Sequence, residues 1–147
     1  MGLAKDNQIV LVEDSADDAE LTMRSLKGPN FVNEIIWLKD GEEAINYLQG
    51  KEGYQDRDTS IKPRLILLDL KLPKLSGIQV LEKIKEDDDL NKIPVVVMTS
   101  SKENSDLKKC YELGVNSYVV KPINFSKFVE VTKEISLYWL LINQIPE

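Results

Sequence analysis

Leu65-Ile66-Leu67-Leu68-Asp69-Leu70-Lys71-Leu72-Pro73 is the stretch that decides how this chain is read. A short apolar run between Pro63 and Pro73 leads straight into one carboxylate. Such a run, closed off by turn residues, reads as a strand buried on both faces, the kind found in parallel sheets. Ligands of open α/β sheets bind beyond the carboxyl ends of the strands, and Asp69 stands at that end. A buried carboxylate is costly unless something compensates it, so the rest of the chain has to supply the compensation.

Outward from this strand the pattern repeats. Ile9-Val10-Leu11-Val12 runs into Glu13-Asp14, and Ile35-Ile36-Trp37-Leu38 into Asp40-Gly41. Pro94-Val95-Val96-Val97-Met98 delivers Thr99-Ser100-Ser101, and Tyr118-Val119-Val120 ends in Lys121-Pro122. Helical patterns fill the gaps. Asp14 or Ser15 caps the first helix, whose acidic first turn, with Asp17 and Asp18, matches the helix dipole; Ala19, Met23 and Leu26 are its apolar stripe, and Gly28-Pro29 stops it. Asp40 to Glu43 opens the second, with Ala44, Ile45 and Leu48 inward. Ser76 can cap the third, whose buried stripe is Ile78, Leu81 and Ile84. The fourth carries Leu107, Cys110, Tyr111 and Leu113 and ends at Gly114; the last begins near Asn124 or Ser126 and runs through Phe128, Val131 and Ile135. The segment 49–64 is polar and charged, exceeds the usual connection of about 4–6 residues, and reads as a solvated loop or a partner contact.

Composition bounds the class. The 147 residues make one domain with a proper core, placed at about 7–142, and 42% hydrophobic with 30% charged residues suits a globular protein. A net charge of −6 argues against nucleic-acid or anionic-membrane surfaces. The single Cys110 excludes an internal disulfide and suits a reducing compartment. No apolar run nears the roughly 20 residues that span a bilayer, and no signal-peptide core precedes Gln8. The expected setting is cytoplasmic. Histidine is absent, which removes His-based triads, His-ligated zinc and phosphohistidine chemistry on this chain.

Alternation of strands and helices implies a doubly wound, five-stranded parallel sheet with helices on both faces. All strands then end on one edge, which receives Glu13, Asp14, Asp69, Thr99 and Lys121. Each has a plain reading alone: helix starts for Glu13 and Asp14, an N-cap for Thr99, a solvent-reaching side chain for Lys121. Their joint arrival at one edge points to a site. One Mg²⁺ and the Lys121 ammonium balance the three carboxylates, and Mg²⁺ needs only one or two of them. Neutralised in this way, Asp69 can attack phosphorus, while metal and ammonium spread the charge of the transferring group. The product is an acyl phosphate, which is reactive and reversible. Thr99 can donate to the phosphoryl oxygens, and the added charge can draw its loop inward.

Four motifs carry a resemblance: Leu11-Val12-Glu13-Asp14, Leu67-Leu68-Asp69-Leu70-Lys71-Leu72-Pro73, Val97-Met98-Thr99-Ser100 and Tyr118-Val119-Val120-Lys121-Pro122. Together they resemble a two-component response-regulator receiver domain, a flavodoxin-like (CheY-like) fold with strand order 2-1-3-4-5, over nearly the whole chain. The resemblance implies Asp69 as phosphoacceptor and Glu13-Asp14 as the acid pair. It implies Mg²⁺, replaceable by Mn²⁺ or Ca²⁺, held by Asp14, Asp69 and the backbone carbonyl of Lys71. Thr99 becomes the switch hydroxyl, Tyr118 the aromatic that rotates with it, and Lys121 the phosphate-binding lysine before a cis bond to Pro122. Ser76 replaces the aspartate often seen before Gly77, and Lys71 and Ser101 occupy positions that tune hydrolysis. The long loop before Asp69, the strand Ile93 to Val97 and the ending Tyr138-Trp139-Leu140-Leu141 are similar to the small regulators paired with bacterial phytochrome histidine kinases.

The implied role is a stand-alone regulator of a phosphorelay, with a sensor histidine kinase as donor. It would catalyse only its own phosphorylation and dephosphorylation. Tyr138, Trp139 and Ile142 lie in a tail that is apolar around more than one helix face, which predicts homodimerisation or partner docking through the last two helices and the fifth strand. Rival readings are a magnesium-dependent aspartyl-phosphate phosphohydrolase, which needs an acid where Lys71 stands, and a binding module with a vestigial acid pocket. A flavin-binding fold would set the acidic loop after the first strand against the cofactor phosphate.

Overall fold

Period-two alternation along each strand shares its apolar side chains between two layers. A computed structural model describes residues 8–26, 34–100, 104–121 and 124–134. Five strands, β1 (Gln8–Val12), β2 (Glu34–Leu38), β3 (Leu65–Leu68), β4 (Val95–Thr99) and β5 (Ser117–Val120), pair in parallel in the order β2-β1-β3-β4-β5. Between and after them lie α1 (Ala16–Leu26), α2 (Gly41–Gln49), α3 (Gly77–Glu86), α4 (Asn104–Glu112) and α5 (Phe125–Glu134).

Val10, Val12, Ile66, Leu68, Val95 and Val97 face one layer, where they meet Ala44, Ile45 and Leu48 of α2, Val80, Leu81 and Ile84 of α3, and Cys110 of α4. Ile9, Leu11, Leu65, Leu67, Val96 and Met98 face the other, with Ala19 and Leu26 of α1 and Phe128 and Val131 of α5. Both sets are fully buried in the three central strands, which is why those strands are apolar without alternation. Each such side chain contributes about 1.5–3 kcal/mol by leaving water.

The capping chemistry follows the sequence. Ser15 Oγ accepts from the Asp18 N–H at 3.2 Å, Asp40 Oδ1 from Glu43 N–H at 2.7 Å, and Ser76 forms a reciprocal capping box with Gln79. The helix stripes need three corrections. Thr22 is buried in α1 while Met23 is only half-buried. Val80 is buried in α3 while Ile78 is partly exposed. Among the described side chains of α4 Cys110 alone is fully buried, Leu113 just beyond it is half-buried, and Leu107 and Tyr111 are 36% and 52% exposed. The last two are four residues apart and share the outer face of that short helix.

The segment 50–64 is a largely exposed loop held at two points. Tyr54 packs edge-on against Tyr47, centroids 5.1 Å apart, and its hydroxyl donates to Glu43 Oε2 at 2.7 Å. The Arg57 guanidinium lies 4.0 Å from the Tyr47 ring centre and donates to the Tyr47 carbonyl. Aromatic and cation–π contacts of this kind tie a long connection to the helix before it. The stop at Gly28-Pro29, Ser101, Pro122 with its peptide bond, Ile135, and the tail residues Tyr138, Trp139 and Ile142 lie outside the described residues.

Candidate phosphoryl-transfer site

A parallel ladder continues one step past each strand and sets the site. Glu13 N–H donates to the Leu38 carbonyl at 3.0 Å, Asp69 N–H to Val12 at 3.0 Å, and Lys121 N–H to Thr99 at 2.9 Å. These bonds hold three charged residues at one sheet edge although they come from distant parts of the chain. Thr99 closes β4, fully buried and paired with Val120, and Tyr118 sits half-buried in β5 opposite Val97.

The loop after β3 is drawn in by two glycines. Gly77 N–H donates to the Leu70 carbonyl at 2.8 Å, and a Cβ on Gly77 would stand 2.3 Å from the Asp69 carbonyl oxygen. A Cβ on Gly41 would stand 2.1 Å from the Leu75 carbonyl oxygen. Only a residue without a side chain lets α2 and α3 start this close to the Asp69 turn. Within that turn the Lys71 N–H donates to Asp69 Oδ1 at 3.3 Å, and the Lys71 side chain is exposed.

Glu13, Asp14 and Asp69 each bring a carboxylate oxygen within 4.8 Å of the others. Glu13 is fully buried, Asp69 is 4% exposed, and Asp14 opens to solvent. Lys121 Nζ lies 2.6 Å from Glu13 Oε1, 2.9 Å from Asp69 Oδ2 and 3.1 Å from Asp18 Oδ2. Two residues in this arrangement have no counterpart in the sequence reading. Asp18 was legible only as an acid suited to a helix N-terminus, although its position four residues after Asp14 is a signal that it faces the strand end. Trp37, whose Nε1–H donates to the Glu13 carbonyl at 2.7 Å, had no local signal, because it acts from a neighbouring strand. With Asp18 counted, the edge holds four carboxylates, three of them on the ammonium, so Lys121 and a divalent cation together leave one negative charge in excess.

Burial pushes the Glu13 carboxyl up from its ordinary value of 4.5; the Lys121 contact opposes this and the nearby Asp69 charge adds to it. Burial alone would lower the Lys121 ammonium, but its bonds to Glu13, Asp69 and Asp18 outweigh that and hold it above its ordinary value. Glu13 Oε1 is buried, and the cation beside it is the Lys121 ammonium at 2.6 Å. The Glu13, Asp14 and Asp69 carboxylates together form an all-oxygen donor set, which suits a hard divalent ion. Among the described residues no helix is long and apolar enough to cross a membrane.

The model of the response regulator receiver domain family matches residues 9–133. The chain is similar to the probable methanogenesis regulatory protein FilR2 of Methanothrix harundinacea, with 43% identity over 94% of this chain and 86% of that one. It is similar to the response regulator Rcp1 of Synechocystis, with 41% identity over 94% and 92%. The Mn²⁺-bound structure of Rcp1 superposes with a TM-score of 0.76 at 40% identity, over 96% of this chain and 99% of that one. The bacteriophytochrome response regulator AtBRR superposes with a TM-score of 0.83 at 43% identity, over 94% and 98%. A parallel sheet in the order 2-1-3-4-5, an acidic edge fit for a divalent cation and a match across almost all of the described core have one reading: the chain belongs to the response-regulator receiver family, the phosphoryl-accepting modules of two-component relays.

Proposed function

We propose that Asp69 is the phosphoacceptor and that a sensor histidine kinase of the phytochrome type is the donor. The observation that carries this reading is the convergence on Asp69 of Glu13, Asp14 and the Lys121 ammonium. An Asp69 carboxylate oxygen attacks phosphorus, the bond from phosphorus to the kinase imidazole breaks, and an acyl phosphate forms on Asp69. Lys121 holds the carboxylate in place beforehand and offers its positive charge to the phosphoryl oxygens afterwards. Thr99 supplies the switch hydroxyl and Tyr118, two places before Val120, is the aromatic that follows it. Asp14, Asp69, the Lys71 carbonyl and, from the second position, Glu13 would hold Mg²⁺. When bound, the ion screens the carboxylates from one another and from the incoming phosphoryl group.

The likeness to the bacteriophytochrome response regulator AtBRR supports the phytochrome assignment. The protein works in the cytoplasm, and its signal leaves through α4, β5 and α5, with the apolar tail residues Tyr138, Trp139 and Ile142 as further contacts for a second copy or a partner. Its only catalysis is on its own acyl phosphate. The rival phosphohydrolase lacks an acid two places after Asp69, where Lys71 projects into solvent.

The test is phosphorylation by acetyl phosphate with Mg²⁺, and by a phytochrome kinase against an unrelated histidine kinase. Intact mass should rise by one hydroxylamine-labile phosphoryl group in wild type and not in Asp69→Asn. Equal labelling of the variant overturns the assignment of Asp69, and equal transfer from both kinases overturns the phytochrome link.

A further inference from the structure

Lys121 has three N–H donors, and three carboxylates crowd them. Two of these are nearly sealed: the Glu13 and Asp69 side chains are 1% and 6% exposed. The third, Asp18, is 49% exposed and stands in the first turn of α1, outside the Glu13, Asp14 and Asp69 cluster. We propose that Asp18 is a displaceable counterion of Lys121: it positions the ammonium over Asp69 before phosphorylation and yields it to the phosphoryl group afterwards. The inference rests on Asp69 being the phosphoacceptor.

The argument is one of competing acceptors. A phosphoryl group on Asp69 adds up to two negative charges and strong acceptor oxygens. Phosphorylation turns the Asp69 carboxylate into an ester, which frees one Lys121 N–H for the phosphoryl oxygens; a second N–H reaches them only if Glu13 or Asp18 lets go. Releasing Glu13 would strand a buried charge, which is expensive. Releasing Asp18 exposes a half-solvated carboxylate to water, and the helix N-terminus still favours its charge. Asp18 is therefore the partner that leaves. Because Asp18 belongs to α1, its release passes the phosphorylation state to a helix that carries none of the switch residues. Asp17, one residue earlier in the same turn, is exposed and is not among the acids paired with Lys121. It has the same charge without the contact, so it is a control supplied by the sequence.

The test is binding of beryllium fluoride, with Mg²⁺ present, to the full chain by calorimetry. Asp18→Asn should bind about three- to fivefold more tightly than wild type, the range open to a half-exposed ion pair. Asp17→Asn should stay within about twofold by the same measure, and Asp18→Glu should restore wild-type affinity. Amide chemical shifts around Asp18 should move on binding in wild type. Equal tightening in Asp17→Asn reduces the effect to general loss of negative charge and overturns the inference. Unchanged or weaker binding in Asp18→Asn overturns it as well, leaving the phosphoacceptor reading intact. No binding to wild type removes that reading and this inference together.

Discussion

The indole of Trp37 reaches from β2 to the end of β1 and donates a 2.7 Å hydrogen bond to the backbone carbonyl of Glu13. Glu13 is thereby fixed twice, by its N–H on the Leu38 carbonyl and by its carbonyl on Trp37. A residue that supports a cation-holding acid from behind affects cation affinity without touching the ion.

Trp37→Phe removes that bond and keeps most of the packing. Stability in urea should fall by about 0.5–1.5 kcal/mol, and Mg²⁺ affinity by up to about tenfold. A loss of stability with unchanged Mg²⁺ affinity would show that the bond serves the fold alone. In a Trp139→Phe background Trp37 is the single remaining indole of the chain's two, and its emission should respond to Mg²⁺.

Removing the cation should cost stability. At a free Mg²⁺ concentration a hundredfold above its Kd, binding stabilises the fold by about 2.7 kcal/mol. Thermal unfolding in excess EDTA should show that loss, and Asp14→Asn should make the protein nearly insensitive to EDTA. Asp14 is exposed, so its substitution leaves the cation-free fold largely unaffected.

Gly77→Ala forces a methyl group to within 2.3 Å of the Asp69 carbonyl oxygen and 2.4 Å of Leu70 Cα. Overpacking against backbone costs about 1–3 kcal/mol, and the displaced atoms belong to Asp69, the proposed acceptor. Both stability and acetyl-phosphate labelling should drop. Gly53→Ala, at φ +92 with open space around its Cβ, should cost only the backbone strain of about 1–2 kcal/mol and leave labelling unchanged.

Cys110 is fully buried in α4, and burial, helped by the Asp106 charge, pushes its thiol from 9.0 up to about 11. The neutral thiol is therefore favoured in the folded state, and that stability is fully present below pH 9. It is lost as pH rises through the ordinary thiol value towards about 11. Alkylation by iodoacetamide at pH 8 should be slow in the native protein and fast in urea. Cys110→Ser should remove the loss that sets in from pH 9 and leave the later alkaline loss due to Lys121 and Tyr54.

The sheet, its helices and the five edge residues were legible because each depends on local pattern. Apolar runs announce buried strands, and a strand end followed by Asp69, Thr99 or Lys121 announces what the edge receives. Strand order was different. It came only through the family resemblance, since no periodicity tells which strand lies beside β1. For the same reason Trp37 was unreadable as a support for Glu13: the contact exists only because β2 neighbours β1. Asp18 was masked by a sufficient local explanation, the helix dipole, which says nothing of the ammonium that arrives from β5. The segment 50–64 is the exposed loop its polar composition announces, but its anchoring by Tyr54 and Arg57 on Tyr47 is a packing that composition does not encode.

The ladder that sets Glu13, Asp69 and Lys121 one step past their strands has a bearing on biogenesis. Each charge is tethered to a different strand, and the ammonium arrives with the last of them. A nascent chain lacking β5 would hold a cluster of carboxylates with no resident cation of its own, repelling one another and any phosphorylated donor. The acidic edge thus gains its own positive charge only when the fifth strand closes the sheet.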